Sequence, residues 1–150
     1  MIFISPNLWN GNIRHMVVSI KRFMSDVSPV IRPQAFAYKY DQLNRIVSAQ
    51  VDTAFNYGTN SWDATAPTAQ KYKESFTYDH NGNIIRQNRN GSAAQVNLDQ
   101  LKYYYYNATG GTYDPEISTP QNATNRLAYV TDAVAAGNYG DDIDNQSANN

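Results

Sequence analysis

Apolar and polar positions alternate with a period of two over several short stretches of this chain. Phe36, Tyr38 and Tyr40 alternate with Ala37 and Lys39, the spacing that places one set of side chains on one face of a β-strand. Residues 45–50 read as the strand that returns from it, and residues 75–78 and 83–88 form a second such pair. Leu101, Tyr103 and Tyr105 alternate with Lys102, Tyr104 and Tyr106, so aromatic rings fall on both faces of a single strand. Residues 13–20 and 127–131 complete the set, the latter expected to pair with 101–106 across a longer connection. The intervening stretches 52–68, 88–97 and 107–124 are rich in Asn, Thr, Ala, Gly and Pro and read as loops. A short helix is expected over 66–74. Residues 135–150 are polar and aperiodic, as a linker or tail.

The strand pattern repeats. Asn10-Gly11-Asn12-Ile13 recurs as Asn81-Gly82-Asn83-Ile84. Tyr38-Lys39-Tyr40-Asp41-Gln42-Leu43-Asn44-Arg45-Ile46 matches Phe76-Thr77-Tyr78-Asp79-His80-Asn81-Gly82-Asn83-Ile84 at a shift of 38 residues, and Asn125-Arg126-Leu127 echoes Asn44-Arg45-Ile46. The motif has a local mechanism. A carboxylate at Asp41 or Asp79 accepts the backbone N–H two residues on and starts a turn. Asn44 and Gly82 stand where the turn needs a left-handed residue, which Asn and Gly tolerate. Each unit is therefore expected to be a β-hairpin with a four-residue loop, the units lying near 8–20, 36–51, 75–88 and 101–131 in one array without an internal boundary.

Composition supports a mainly β fold. Twelve Tyr and eighteen Asn stand beside two Glu and five Lys, so strand and turn formers outnumber strong helix formers. Charged residues make up 17% and aromatic residues 13%, which is not the low-aromatic, highly charged composition of disorder. The net charge is −1, with no basic stripe for nucleic acid. No apolar run is long enough for a membrane-spanning helix. Met1-Ile2-Phe3-Ile4-Ser5-Pro6 is too short, and lacks the basic flank, for a signal peptide. Without Cys there is no disulfide, thiolate ligand or thiol nucleophile.

Tyr38-X-Tyr40-Asp41-X-X-Asn44-Arg45-Ile46 and Tyr78-Asp79-X-X-Gly82-Asn83-Ile84 resemble the YD repeat of Rhs (rearrangement hotspot) proteins. The likeness extends to Asn10-Gly11-Asn12-Ile13 and Asn125-Arg126-Leu127, with long insertions like those of the versions in Bacteroidetes-type bacteria. It implies antiparallel hairpins forming part of a spiralling sheet with irregular polar loops. It also implies a non-enzymatic role in a shell that encloses or delivers a C-terminal toxin domain, in a secreted or cell-surface protein whose partners are flanking YD repeats or the toxin. The chain departs from full-length members. It is shorter than a complete shell, and Asp114-Pro115 lacks the glycines of the self-cleavage region that closes bacterial Rhs cores. The expectation is a segment, or a small relative, of such a shell, and the isolated chain is expected to self-associate through edge strands, at Ile2–Ile4 or at Tyr103–Tyr106.

Chemistry-bearing residues have plain structural readings. Asp41 and Asp79 each sit at their own turn start, which argues against a catalytic pair. His15 falls on a strand and His80 in a turn, neither with Cys or Glu at ligand spacing. Asp141-Asp142-Ile143-Asp144-Asn145 lacks the Gly and the late Glu of a calcium loop. No catalytic, cofactor or metal residue is assigned. Tyr103, Tyr104, Tyr105 and Tyr106 carry the alternative function: exposed, they would present a platform to a glycan or a cell-surface protein; buried, they pack the sheet. The Asn-X-Ser/Thr sequences at Asn90, Asn107, Asn122 and Asn145 are expected by chance in so Asn-rich a chain.

Overall fold

The computed structural model describes residues 11–19, 33–52, 55–62, 71–91, 97–118, 120–135, 143 and 146. These form strands and turns, with no helix among the described residues. The strand pairings within each part of the chain described below are antiparallel. The chain divides into two compact units, Met1–Lys73 and Glu74–Asn150.

In the first unit β1 (His15–Val18), β2 (Gln34–Tyr40) and β3 (Ile46–Asp52) lie side by side in chain order. Ala35 is buried, Phe36, Ala37, Tyr38 and Tyr40 are half-buried, and Lys39 is exposed. β1 is shorter than the 13–20 expected: Ile13 precedes it, and Ile20 lies outside the described residues. A two-stranded ribbon, β4 (Phe55–Asn56) and β5 (Ser61–Trp62), occupies part of what read as a loop. Phe55 packs edge-on against Trp62, with ring centroids 5.0 Å apart, and Asn56 holds the turn by accepting the N–H groups of Gly58 and Thr59.

The second unit is built on β6 (Glu74–Tyr78), β7 (Ile84–Asn90), β8 (Asn97–Asn107) and β10 (Ala123–Asp132), with the short β9 (Thr112–Tyr113) also on β8. β8 lies between β7 and β10. Its odd-numbered side is the more covered one: Leu101 is 1% exposed and Tyr105 5%. Tyr113 and Val130 are buried opposite Tyr105 and Tyr103, and residues directly opposite in a pair share a face. β10 pairs with β8 as expected, but two register shifts break the ladder before Tyr129.

Three expectations need correction. Glu74 opens a strand and residues 71–72 form a turn, so the C-terminal end of the expected helix is not helical; residues 66–70 lie outside the described residues. The hairpin loops are one residue tighter than expected. Asp41 N–H donates to Arg45 O and Asp79 N–H to Asn83 O, leaving three residues in each loop, a type I turn followed by a left-handed residue. Tyr103–Tyr106 is not at an edge, because β8 has a strand on each side; Ile2–Ile4 lie outside the described residues. The described part of the tail also touches the sheet: Ile143 N–H reaches the Asp99 carboxylate, and Gln146 N–H donates to Val130 O on β10. Of the acidic cluster only Ile143 is described.

Candidate functional site

The two Asp turns are assembled alike. Asp41 Oδ1 accepts the N–H of Leu43 at 2.9 Å and of Arg45 at 3.0 Å. Asp79 Oδ1 accepts those of Asn81 at 2.9 Å and Asn83 at 2.8 Å. The second oxygen of each binds the side chain four residues on: Arg45 Nε donates to Asp41 at 2.6 Å, and Asn83 Nδ2 to Asp79 at 2.8 Å. Different residue types thus fill one role. The backbone then turns through a left-handed residue, φ 63° at Asn44 and 89° at Gly82, where a Cβ is disfavoured. The donated N–H groups, that of Arg45 first, hold the Asp41 carboxyl below the ordinary range. Asp79 is 5% exposed and its carboxylate is fully engaged in the turn.

Other signature residues tie neighbouring strands to these turns. Tyr40 donates its hydroxyl to Ile13 O at 2.9 Å, and Tyr105 to Ile84 O at 2.7 Å. In each case a tyrosine caps the carbonyl of an aliphatic residue two positions after a left-handed glycine, Gly11 or Gly82. Asn12 Nδ2 donates to Asn44 Oδ1, and Asn83 Nδ2 to Asn125 Oδ1, each at 3.1 Å. Gly11 is left-handed at φ 82°; Asn10 lies outside the described residues. Tyr78 stacks on Phe76, and Tyr38 is half-buried on β2. Ile46, Leu127 and Ile13 are exposed, whereas Ile84 is half-buried.

A third turn of the same build was missed in the sequence. Asn107 Oδ1 accepts the N–H of Thr109 and of Gly111, Asn107 N–H donates to Gly111 O, and Gly110 has φ 88°. Tyr106-Asn107-Ala108-Thr109-Gly110 therefore occupies the place of Tyr78-Asp79-His80-Asn81-Gly82. The signal was there in the Tyr before and the Gly three residues after, but Asn replaces Asp and Thr112 replaces the aliphatic residue.

Strand alternation splits the tyrosine run two and two. Tyr103 donates to Gln87 Oε1 at 2.8 Å, and Tyr105 is the buried ring already described. Burial, and then the charge of Asp79, push the Tyr105 phenol up to about 12. On the opposite face Tyr104 stacks on Tyr129 at 4.5 Å, with Lys102 Nζ 5.5 Å from its ring, and the Arg126 guanidinium lies 4.3 Å over Tyr106. These ring faces are in use within the molecule.

Beside them, Lys102 contacts Asp114 at 2.5 Å and Glu116 at 3.0 Å, while Arg86 grips Glu116 through two bonds of 2.8 and 2.6 Å. Hydrogen bonds from Arg86 and then Lys102 hold Glu116 down to about 2, and Asp114 raises Lys102. On the core face Asp99, with no exposed surface, pairs with Arg89. His15 is held below its usual value by burial and then by Arg14; His80 lies exposed in the turn after Asp79. Among the described residues no three His, Asp or Glu side chains converge as a metal site, and no helix is long and apolar enough to cross a membrane.

Comparison with protein-family models, with curated proteins and with solved structures finds no match to this chain.

Proposed function

We propose that this chain is a non-enzymatic structural segment of an Rhs-type YD-repeat shell, built of hairpins that pack against flanking repeats. The single observation that supports this most is the shared turn. At Asp41 and Asp79 one carboxylate accepts the backbone two and four residues on and the side chain of the latter, followed by the same left-handed step. Such a carboxylate has its lone pairs committed to the fold, which suits scaffold better than chemistry. In this reading the chain belongs to a larger exported protein, secreted or on the cell surface, and the shell encloses or delivers a C-terminal toxin domain. An isolated segment of this kind self-associates through open strand edges.

The alternative, a glycan- or protein-binding module on the tyrosine run, has less support. Tyr104 and Tyr106 already stack on Tyr129 and Arg126, so one face of each ring is taken within the molecule and less of the run is left to a sugar. The deciding experiment is electron cryomicroscopy, with limited proteolysis, of the polypeptide encoded by the complete reading frame. The proposal expects these hairpins within a continuous wall and a protease-protected C-terminal region. A free-standing domain joined to its neighbours by cleavable linkers would overturn it.

A further inference from the structure

The three turns built on Asp41, Asp79 and Asn107 have one geometry but different chemical fates. The residue before the left-handed position is Leu43 in the first, Asn81 in the second and Thr109 in the third. Only the second brings a side-chain amide next to a glycine. A main-chain nitrogen that follows asparagine can attack the amide carbon to close a five-membered imide, and a Cβ on the following residue hinders this approach.

We infer that Asn81-Gly82 is a site of spontaneous modification, a slow chemical switch set into the Asp79 turn. Several observations converge on it. Asn81 and Gly82 are exposed, so water has access, and nothing lies within 4 Å of where a Gly82 Cβ would stand, so no neighbour crowds the glycine. The nucleophile, Gly82 N, is restrained by a 3.2 Å bond to Asp79 O, longer than the 2.8–2.9 Å bonds that the Asp79 carboxylate accepts. Asn90-Gly91 provides a contrast within the same unit. Asn90 is paired in β7 with Asn97 of β8, and Gly91 is buried, so closure there must break the ladder first.

The reaction balances with solvent alone. Hydroxide removes the Gly82 amide proton, and the nitrogen bonds to Asn81 Cγ as the Cγ–Nδ2 bond breaks. Nδ2 leaves as ammonia after taking a proton from water, which regenerates hydroxide. Water then opens the imide at Cγ, giving aspartate, or at the main-chain carbonyl, giving isoaspartate. Either product adds a negative charge two residues from Asp79. The isoaspartyl form also inserts a methylene into a three-residue loop, where Asp79 Oδ1 can no longer reach both the residue-81 and the residue-83 N–H groups. The two products therefore differ in consequence: one adds charge, the other breaks the turn.

The test is ageing of the full chain at mildly alkaline pH, read by peptide mass spectrometry with an isoaspartyl-specific methyltransferase assay. Residue 81 is expected to convert at least about tenfold faster than residue 90. The Asn81-containing peptide, excised and aged alone, should react faster still. Fresh Asn81→Asp should keep the parent's urea midpoint, while the aged isoaspartyl fraction of the parent shows a lower one. Asn81→Gln, which retains an amide but closes a ring poorly, should show no such drift. Conversion of Asn90 at the rate of Asn81, or an aged parent that carries isoaspartate without loss of midpoint, would overturn the inference. Because the readout is chemical, its failure leaves the proposed shell role untouched.

Discussion

Removing the Asp79 carboxylate should unfold the second hairpin from its turn outward. The side chain accepts three hydrogen bonds at 2.8–2.9 Å while only 5% exposed. Hydrogen bonds to a charged group contribute about 1.5–3 kcal/mol each, but exposed donors recover much of that from water. Asn81 is exposed and Asn83 half-buried, so the lower end applies, and relief of a poorly solvated charge offsets part of the sum. Asp79→Ala is therefore expected to cost about 2–3 kcal/mol. Asp79→Asn keeps an acceptor for both N–H groups but loses charge assistance and sets one amide against another, for about 1 kcal/mol. With a urea slope of about 1 kcal/mol per molar for a unit of this size, the alanine variant's midpoint drops by about 2–3 M. Circular dichroism through a urea series measures this, and hydrogen exchange at β6 and β7 amides confines it to the second unit. Asp41→Ala should lose less, since its carboxylate is more exposed. A loss below about 0.5 kcal/mol for Asp79→Ala, the scale of an ordinary surface change, would refute the reasoning; so would equal losses for Ala and Asn.

Gly82→Val places a β-branched residue at φ 89° in open space, so backbone strain alone should cost more than about 1 kcal/mol, with Gly82→Asn costing less, by the same urea measurement. In a spectrophotometric titration the Tyr105 phenol should ionise near pH 12; Tyr105→Phe should delete that step and lose about 1 kcal/mol by leaving Ile84 O without its donor. Glu116 is depressed from 4.5 to about 2, so its contribution to stability is complete above pH 4.5 and is lost as pH falls toward 2. Acid titration should show Glu116→Gln flattening the stability slope in that window and leaving it unchanged above.

What this sequence determined alone was what a turn needs from itself. An aspartate that reaches the N–H groups two and four residues on, and a Gly or Asn one step before the returning strand, set the hairpins at Asp41 and Asp79, because those bonds close within five residues. Period-two alternation likewise placed β2 and β8 and sent the tyrosines to alternate faces, and the repeat of the Asp turn placed β7 as the strand that leaves it. The third turn escaped notice because Asn107 accepts the same hydrogen bonds as an aspartate without looking like one. Only the tertiary structure decided what the rings and charges meet. Tyr104 faces Tyr129 and Tyr106 faces Arg126 because β10 returns beside β8 through a bulged register that no local signal specifies. Lys102 and Arg86 meet Asp114 and Glu116 because the connection between β9 and β10 folds over the sheet, and Asp99 is covered in part by a backbone N–H from Ile143, 44 residues later. These contacts join residues far apart in the chain, so they follow from which strands become neighbours, whereas the turns follow from bonds within a few residues.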